Sequence, residues 1–104
     1  MYGYGTVARI TPIPGKDQAV ITLMNEWNRS YGPKVKGAVA GYLYQLENKP
    51  GQMIMCAVFE GKLSYRANAE NPEQDKWYRR LRALLTTDPI WEDGEIVSGG
   101  SIKR

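Results

Sequence analysis

Met53-Ile54-Met55-Cys56-Ala57-Val58-Phe59 is an unbroken apolar run of strand length, set between the turn signal Asn48-Lys49-Pro50-Gly51 and Glu60-Gly61. Alternation would mark a strand with one wet face; a continuous run suits a strand covered on both. The chain has 104 residues, enough for one domain and one modest core. A strand buried on both sides in so small a domain needs a second cover, and a partner subunit would supply it.

The rest of the chain is read around that strand. Tyr4 to Thr11 alternates, with Gly5, Val7, Arg9 and Thr11 on one face and Tyr4, Thr6, Ala8 and Ile10 on the other, which predicts a first strand. Pro12, Pro14 and Gly15 end it, and Lys16-Asp17-Gln18 opens a helix. Val20, Leu23, Met24, Trp27 and Tyr31 recur at helical spacing until Gly32-Pro33 stops them. Ala38 to Leu46 predicts a second strand, with Tyr42 and Tyr44 on one face and Val39, Gly41 and Leu43 on the other. It forms an antiparallel hairpin with the apolar run.

Leu63 to Ala69 reads as a short helix. Asn71-Pro72-Glu73-Gln74 then opens a longer one, with Asn71 as N-cap, Pro72 in the first turn and Gln74 at the capping-box position. Its apolar stripe is Trp77, Leu81, Leu84 and Leu85, Asp75 and Arg79 stand one turn apart as an ion pair, and Pro89 closes it. Trp91 to Ser98 makes the last strand. The predicted order is β-α-β-β-α-β: α+β, ferredoxin-like, one antiparallel sheet with helices on one face. Residues 1–98 form a single domain and 99–104 a flexible C-terminal tail.

Composition narrows the chemistry. The chain contains no histidine and one cysteine, which removes the commonest general base, zinc ligand and proximal haem ligand and rules out Ser–His and Cys–His nucleophile pairs. No metal site is expected. Cys56 reads as inert packing. The net charge of +3 is mild, and the cluster Lys76, Arg79, Arg80, Arg82 reads as a solvated helix face, because no basic-aromatic signature of a nucleic-acid binder accompanies it. Without a signal pattern or an apolar run long enough to cross a bilayer, the chain is expected to be a cytoplasmic protein that binds neither nucleic acid nor membrane.

Three stretches carry a resemblance over residues 4–97: the opening strand ending in Pro14-Gly15-Lys16, the strand Ile54 to Glu60, and Tyr65-Arg66-Ala67-Asn68-Ala69-Glu70-Asn71-Pro72 leading into the long helix. The chain resembles the antibiotic biosynthesis monooxygenase-like proteins, which are dimeric α/β barrels. That resemblance implies a homodimer with a pocket for a small aromatic or apolar ligand. It also implies an oxygenase without cofactors, acting on a small aromatic or polyketide-like substrate such as a phenol or an anthrone; the other reading is a non-catalytic ligand-binding or interaction dimer of the same fold. In the family a His commonly follows the aromatic-x-Ala of the short helix, where this chain has Asn68. Haem degradation, which uses such a His in relatives, is not expected.

The candidate site follows from the same resemblance. Asn68 would donate its amide to a substrate oxygen and Arg66 would stabilise an enolate, as the catalytic pair. Tyr42, Tyr44, Tyr65, Trp77 and Trp27 would stack on a flat ring. Each has a plainer alternative: Asn68 a helix terminator, Arg66 a surface charge, Trp27 and Trp77 core, Tyr42 and Tyr44 a dimer seam. Asp88, Glu92, Asp93 and Glu95 read as a polar loop.

Overall fold

The computed structural model describes residues 3–103. Its elements are β1 (Tyr4–Ile10), α1 (Asp17–Glu26), β2 (Ala38–Gln45), β3 (Met53–Phe59), α2 (Lys62–Ala69), α3 (Pro72–Arg82) and β4 (Ile90–Glu95). The strands form one antiparallel sheet in the order β2-β3-β1-β4. The apolar run is therefore an interior strand, hydrogen-bonded on both edges. The ferredoxin-like order predicted above is the order found, with the second helical segment divided into α2 and α3.

Strand alternation divides the sheet cleanly. One face carries Thr6, Ala8, Ile10, Met53, Met55 and Phe59, all buried together with Val20, Leu23, Met24, Trp77 and Leu81 from the helices. Ile10, Val20, Met53, Phe59 and Leu81 are the most completely buried large side chains. The other face carries Val7, Cys56, Tyr42 and Glu92 in one row across the sheet, since Val7 pairs with both Cys56 and Glu92 and Cys56 with Tyr42. Nothing among the described residues covers this face. Tyr42 and Tyr44 are 57% and 55% exposed there.

Several elements depart from the sequence reading, each for a local reason. Val39 does not share the face of Gly41 and Leu43. The register slips between Ala38 and Ala40, a bulge that turns Val39 out to solvent. The first helix reaches Gly32 as expected but widens after Glu26 into a π-helical turn, Trp27–Tyr31, where the Gly32 N–H donates to the Trp27 carbonyl. A Cβ on Gly32 would lie 2.8 Å from the Trp27 ring, so glycine is required at that packing point.

The long helix ends at Arg82 instead of running on towards Pro89. Its would-be last turn is taken up by the start of the chain: Ile13 N–H donates to the Leu84 carbonyl at 2.8 Å and Thr86 N–H to the Thr11 carbonyl at 2.9 Å. Leu85 is still buried, held by that bridge and not by helix. Asn71 caps α3 as expected, its Oδ1 accepting from Glu73 N–H at 2.9 Å, and Arg79 pairs with Asp75 at 2.9 Å. The last strand begins at Ile90 and ends at Glu95, starting one residue and ending three residues earlier than predicted.

Leu81 joins α3 to the sheet and is 1% exposed, whereas Leu63 on α2 is 84% exposed. Leu81→Ala should cost about 2–5 kcal/mol in equilibrium urea unfolding, through lost burial and the cavity left behind. Leu63→Ala should stay within about 0.5 kcal/mol of the parent.

Candidate functional site

A cavity of about 360 Å³ lies between the helices and the sheet. Thr6, Met55, Ala57 and Phe59 of the sheet line it, with Trp91 and Asp93 on β4. Trp27 reaches it from the π-helical turn, Tyr65 and Asn68 from α2, and Gln74, Trp77 and Tyr78 from α3. Thr6 and Ala57 are register partners. Two small side chains side by side leave room that Met55 and Phe59, on either side of Ala57, do not.

The walls are aromatic and well fixed. Trp27 and Trp77 meet with centroids 6.4 Å apart at 62°, Tyr78 and Trp91 at 6.4 Å and 50°, and Phe59 and Tyr65 edge-on at 5.4 Å and 79°. Such tilted and edge-on pairs are favourable geometries for rings. The Trp77 indole N–H donates to the Leu23 carbonyl at 3.3 Å and the Trp27 N–H to Gln74 Oε1 at 3.2 Å. Both indoles thus satisfy their polar atoms within the protein. Gln74 is consequently drawn to Trp27 and does not close the capping box predicted for it. Arg80 on α3 binds both carboxylate oxygens of Glu26 at the end of α1, at 2.5 and 3.3 Å. The hydrogen bond from Arg80 holds the Glu26 carboxyl below its ordinary range, and the pair ties the two helices together.

Polar groups gather at two places. Asn68 is 8% exposed, and its Oδ1 accepts from the Tyr31 hydroxyl at 3.1 Å. With the carbonyl end so engaged, the amide end has no acceptor among the described residues and borders the cavity. Burial pushes the Tyr31 phenol above its ordinary value, so it remains a donor. The second place is β4, where Asp93 Oδ1 accepts from Thr6 Oγ1 at 2.6 Å and from the Tyr65 hydroxyl at 3.0 Å. Burial, chiefly, pushes the Tyr65 phenol up to about 12.

Of the residues singled out from sequence, Asn68, Tyr65, Trp77 and Trp27 line this cavity together. Arg66 does not: it follows Tyr65 on α2 and is exposed. Tyr42 and Tyr44 are not brought there either, because alternation along β2 turns them to the open face. Tyr42 borders only a separate hollow between α1 and β2. Asp93, Thr6 and Gln74 were missed. For Asp93 the signal was available: once a strand starts at Trp91, the residue two further on shares its face. Among the described residues no group of three or more Cys, Asp or Glu side chains could hold a metal ion, and no helix is long and apolar enough to cross a membrane.

The Tyr65 environment has a consequence for stability. Its phenol is protonated more tightly in the folded chain than in the unfolded one, so folding binds a proton relative to the unfolded state as pH rises past the ordinary tyrosine value of about 10. The stabilisation is full below that value and is lost as pH rises towards about 12. Unfolding free energy measured across this window should fall with pH, and Tyr65→Phe should flatten the slope.

No family model matches the sequence, and no curated protein matches it. Among solved structures, a candidate antibiotic biosynthesis monooxygenase from Chloroflexus aurantiacus J-10-fl superposes with a TM-score of 0.76 at 20% identity, over 96% of this chain and 98% of its own. One of the same description from Bordetella bronchiseptica gives 0.81 at 12% identity, over 94% and 100%. A mutant of SnoaB, a cofactor-independent oxygenase from Streptomyces nogalater, gives 0.73 at 19%, over 95% and 97%. At these identities the likeness is one of fold: along nearly its whole length, this chain has the α+β, ferredoxin-like fold of the antibiotic biosynthesis monooxygenase structures.

Proposed function

We propose that the protein is a cofactor-independent oxygenase of a small, flat aromatic or polyketide-like substrate, and that it works as a homodimer. The observation that carries this reading is the aromatic cavity bordered by a buried, oriented side-chain amide, Asn68. Two indoles with their N–H groups already bonded offer ring surface to a planar ligand. The fold is shared with a cofactor-independent oxygenase.

The chemistry asks for binding, deprotonation and exclusion of water. An anthrone-like substrate loses a proton from its ring methylene, and its anion passes one electron to oxygen. The resulting radical and superoxide combine to a peroxide anion, the proton returns to it to give a hydroperoxide, and loss of water leaves a carbonyl where the methylene stood. No electrons are needed beyond those of the substrate. Asn68 donates to the substrate oxygen as negative charge develops on it, and Trp27, Trp77 and Tyr78 hold the ring and keep water away.

The dimer rests on the open sheet face. Val7, Tyr42, Tyr44 and Ile90 are exposed there beside half-buried Ile54, Cys56 and Val58. An exposed apolar patch of this kind, here interrupted by Arg9 and Glu92, marks an interaction surface, and a partner on it would supply the second cover that the apolar strand calls for.

Oxygen uptake with anthrone as substrate tests the activity. Asn68→Ala should lower kcat by about 10²–10³-fold, the effect of removing one donor to a developing oxyanion, and Trp77→Phe should raise KM more than it lowers kcat. Saturable binding of anthrone that is recovered unchanged under air would replace the oxygenase with a binding protein. Native mass spectrometry at micromolar concentration should show a dimer, and Val7→Lys, in the middle row of the open face, should give a monomer; a wild-type monomer would remove the dimer from the proposal.

A further inference from the structure

Two carboxylates border the cavity, and their surroundings differ. Asp75 is held by Arg79 at 2.9 Å, on the exposed side of α3. Asp93 has no lysine or arginine nitrogen within ion-pair distance among the described residues. Its neighbours are two neutral hydroxyl donors, Thr6 and Tyr65, and both use the same oxygen, Oδ1. The arrangement fixes the carboxylate and leaves Oδ2 without a hydrogen-bond donor among the described residues. Asp93 reaches the cavity because it shares the inward side of β4 with Trp91, whereas the register partner of Glu92 is Val7, on the open face.

We propose that Asp93 is the base that takes the proton of the carbon acid bound in this cavity. The proposal deepens the oxygenase reading and rests on it for the choice of site. In the step, the C–H bond breaks, its proton goes to Oδ2 of Asp93, and its electron pair delocalises into the carbonyl to form an enolate. The Asn68 amide supplies the donor for the enolate oxygen. Thr6 and Tyr65 orient the base through Oδ1, and the raised pKa of Tyr65 keeps its proton in place, so the phenol acts as a fixed donor and not as the acid or base itself.

The same geometry sets the substrate class. A carboxylate is a weak base, so efficient transfer requires a carbon acid already strongly acidified by conjugation, and an isolated methylene would not give up its proton. With no cation beside it, Asp93 also repels anionic ligands. Carboxylated aromatics should therefore enter poorly, and neutral ketones well.

Proton abstraction can be read without oxygen. Anthrone is incubated with the protein in deuterated buffer under argon, and exchange of its methylene hydrogens is followed by NMR. The wild-type protein should accelerate exchange over buffer, and Asp93→Asn, whose amide oxygen still accepts from Thr6 and Tyr65, should lose about 10²–10⁴-fold of that acceleration while its circular dichroism and melting stay those of wild type. Asp93→Ala is the second variant, read in the same way if Asp93→Asn does not fold. Exchange that is absent in wild type, or unchanged in a folded Asp93 variant, overturns the base assignment. Exchange that depends on Asp93 without oxygen uptake in air keeps the assignment and overturns the oxygenase reading instead, so the two fail separately.

Discussion

The two-sided apolar character of β3 is the constraint on which the remaining architecture depends. An interior strand pairs on both edges, and here β2 and β1 take those places. Its odd-numbered residues Met53, Met55, Ala57 and Phe59 then point to one side and Ile54, Cys56 and Val58 to the other. A slip of one residue in either pairing would exchange the two sets. The long β1 register, from Tyr4 opposite Phe59 to Ile10 opposite Met53, prevents this, because it would expose Ala8 and Ile10 and bury Arg9. Helices α1 and α3 have apolar stripes of Val20, Leu23, Met24, Trp77 and Leu81, sufficient for one face of the sheet. The other face stays open among the described residues.

The cavity arises where that packing is incomplete by composition. Large residues close the core at Ile10, Met53 and Phe59, while the neighbouring pair Thr6 and Ala57 is too small to meet the helices above it. The tryptophans arch over the gap without filling it, their N–H groups fixed to the Leu23 carbonyl and to Gln74. The π-helical turn contributes directly, since it brings Trp27 and Tyr31 to the same side. From there Tyr31 reaches the amide of Asn68. Wide turns of this kind are often found at functional sites, where the energetic cost of a poorer helix is offset by the placement of a side chain.

Much of this was legible in the sequence. Periodicity gave the order of strands and helices, and Asn71-Pro72 marked the start of α3, because these signals are local and depend on few neighbours. The features that were not legible are those decided by distant residues. The end of α3 was read from Pro89, yet it is set by Thr11 and Ile13, over seventy residues earlier in the chain. The outward turn of Val39 follows from a bulge against β3, and nothing in its own neighbourhood announces it. Of the residues named from sequence, Trp27, Tyr65, Trp77 and Asn68 line the cavity, whereas Tyr42 and Tyr44 stand on the open face of the sheet. Arg66 was grouped with the cavity residues because the resemblance implies an arginine at the pocket; on a helix, however, the residue after Tyr65 points elsewhere, and Arg66 is exposed.

Asp93 shows why a cavity-lining carboxylate can be hidden among structural ones. β4 is an edge strand, and Glu92, Asp93 and Glu95 make it a charged one. Charges on an edge discourage pairing with a stray strand, so an acidic edge invites no further explanation. The alternation of the strand nevertheless gives these charges different fates. Glu92 stands on the open face opposite Val7, while Asp93 stands inward, opposite Thr6. Asp93 is exposed like the rest of β4, so it borders the cavity at its mouth, where hydrogen bonds fix its orientation. Thr6 and Tyr65 supply them without cancelling its charge, as an arginine would. The hydroxyl pair therefore fixes one carboxylate oxygen and leaves the other open at the cavity mouth, which is the geometry that the acceptance of a proton from a bound ligand requires.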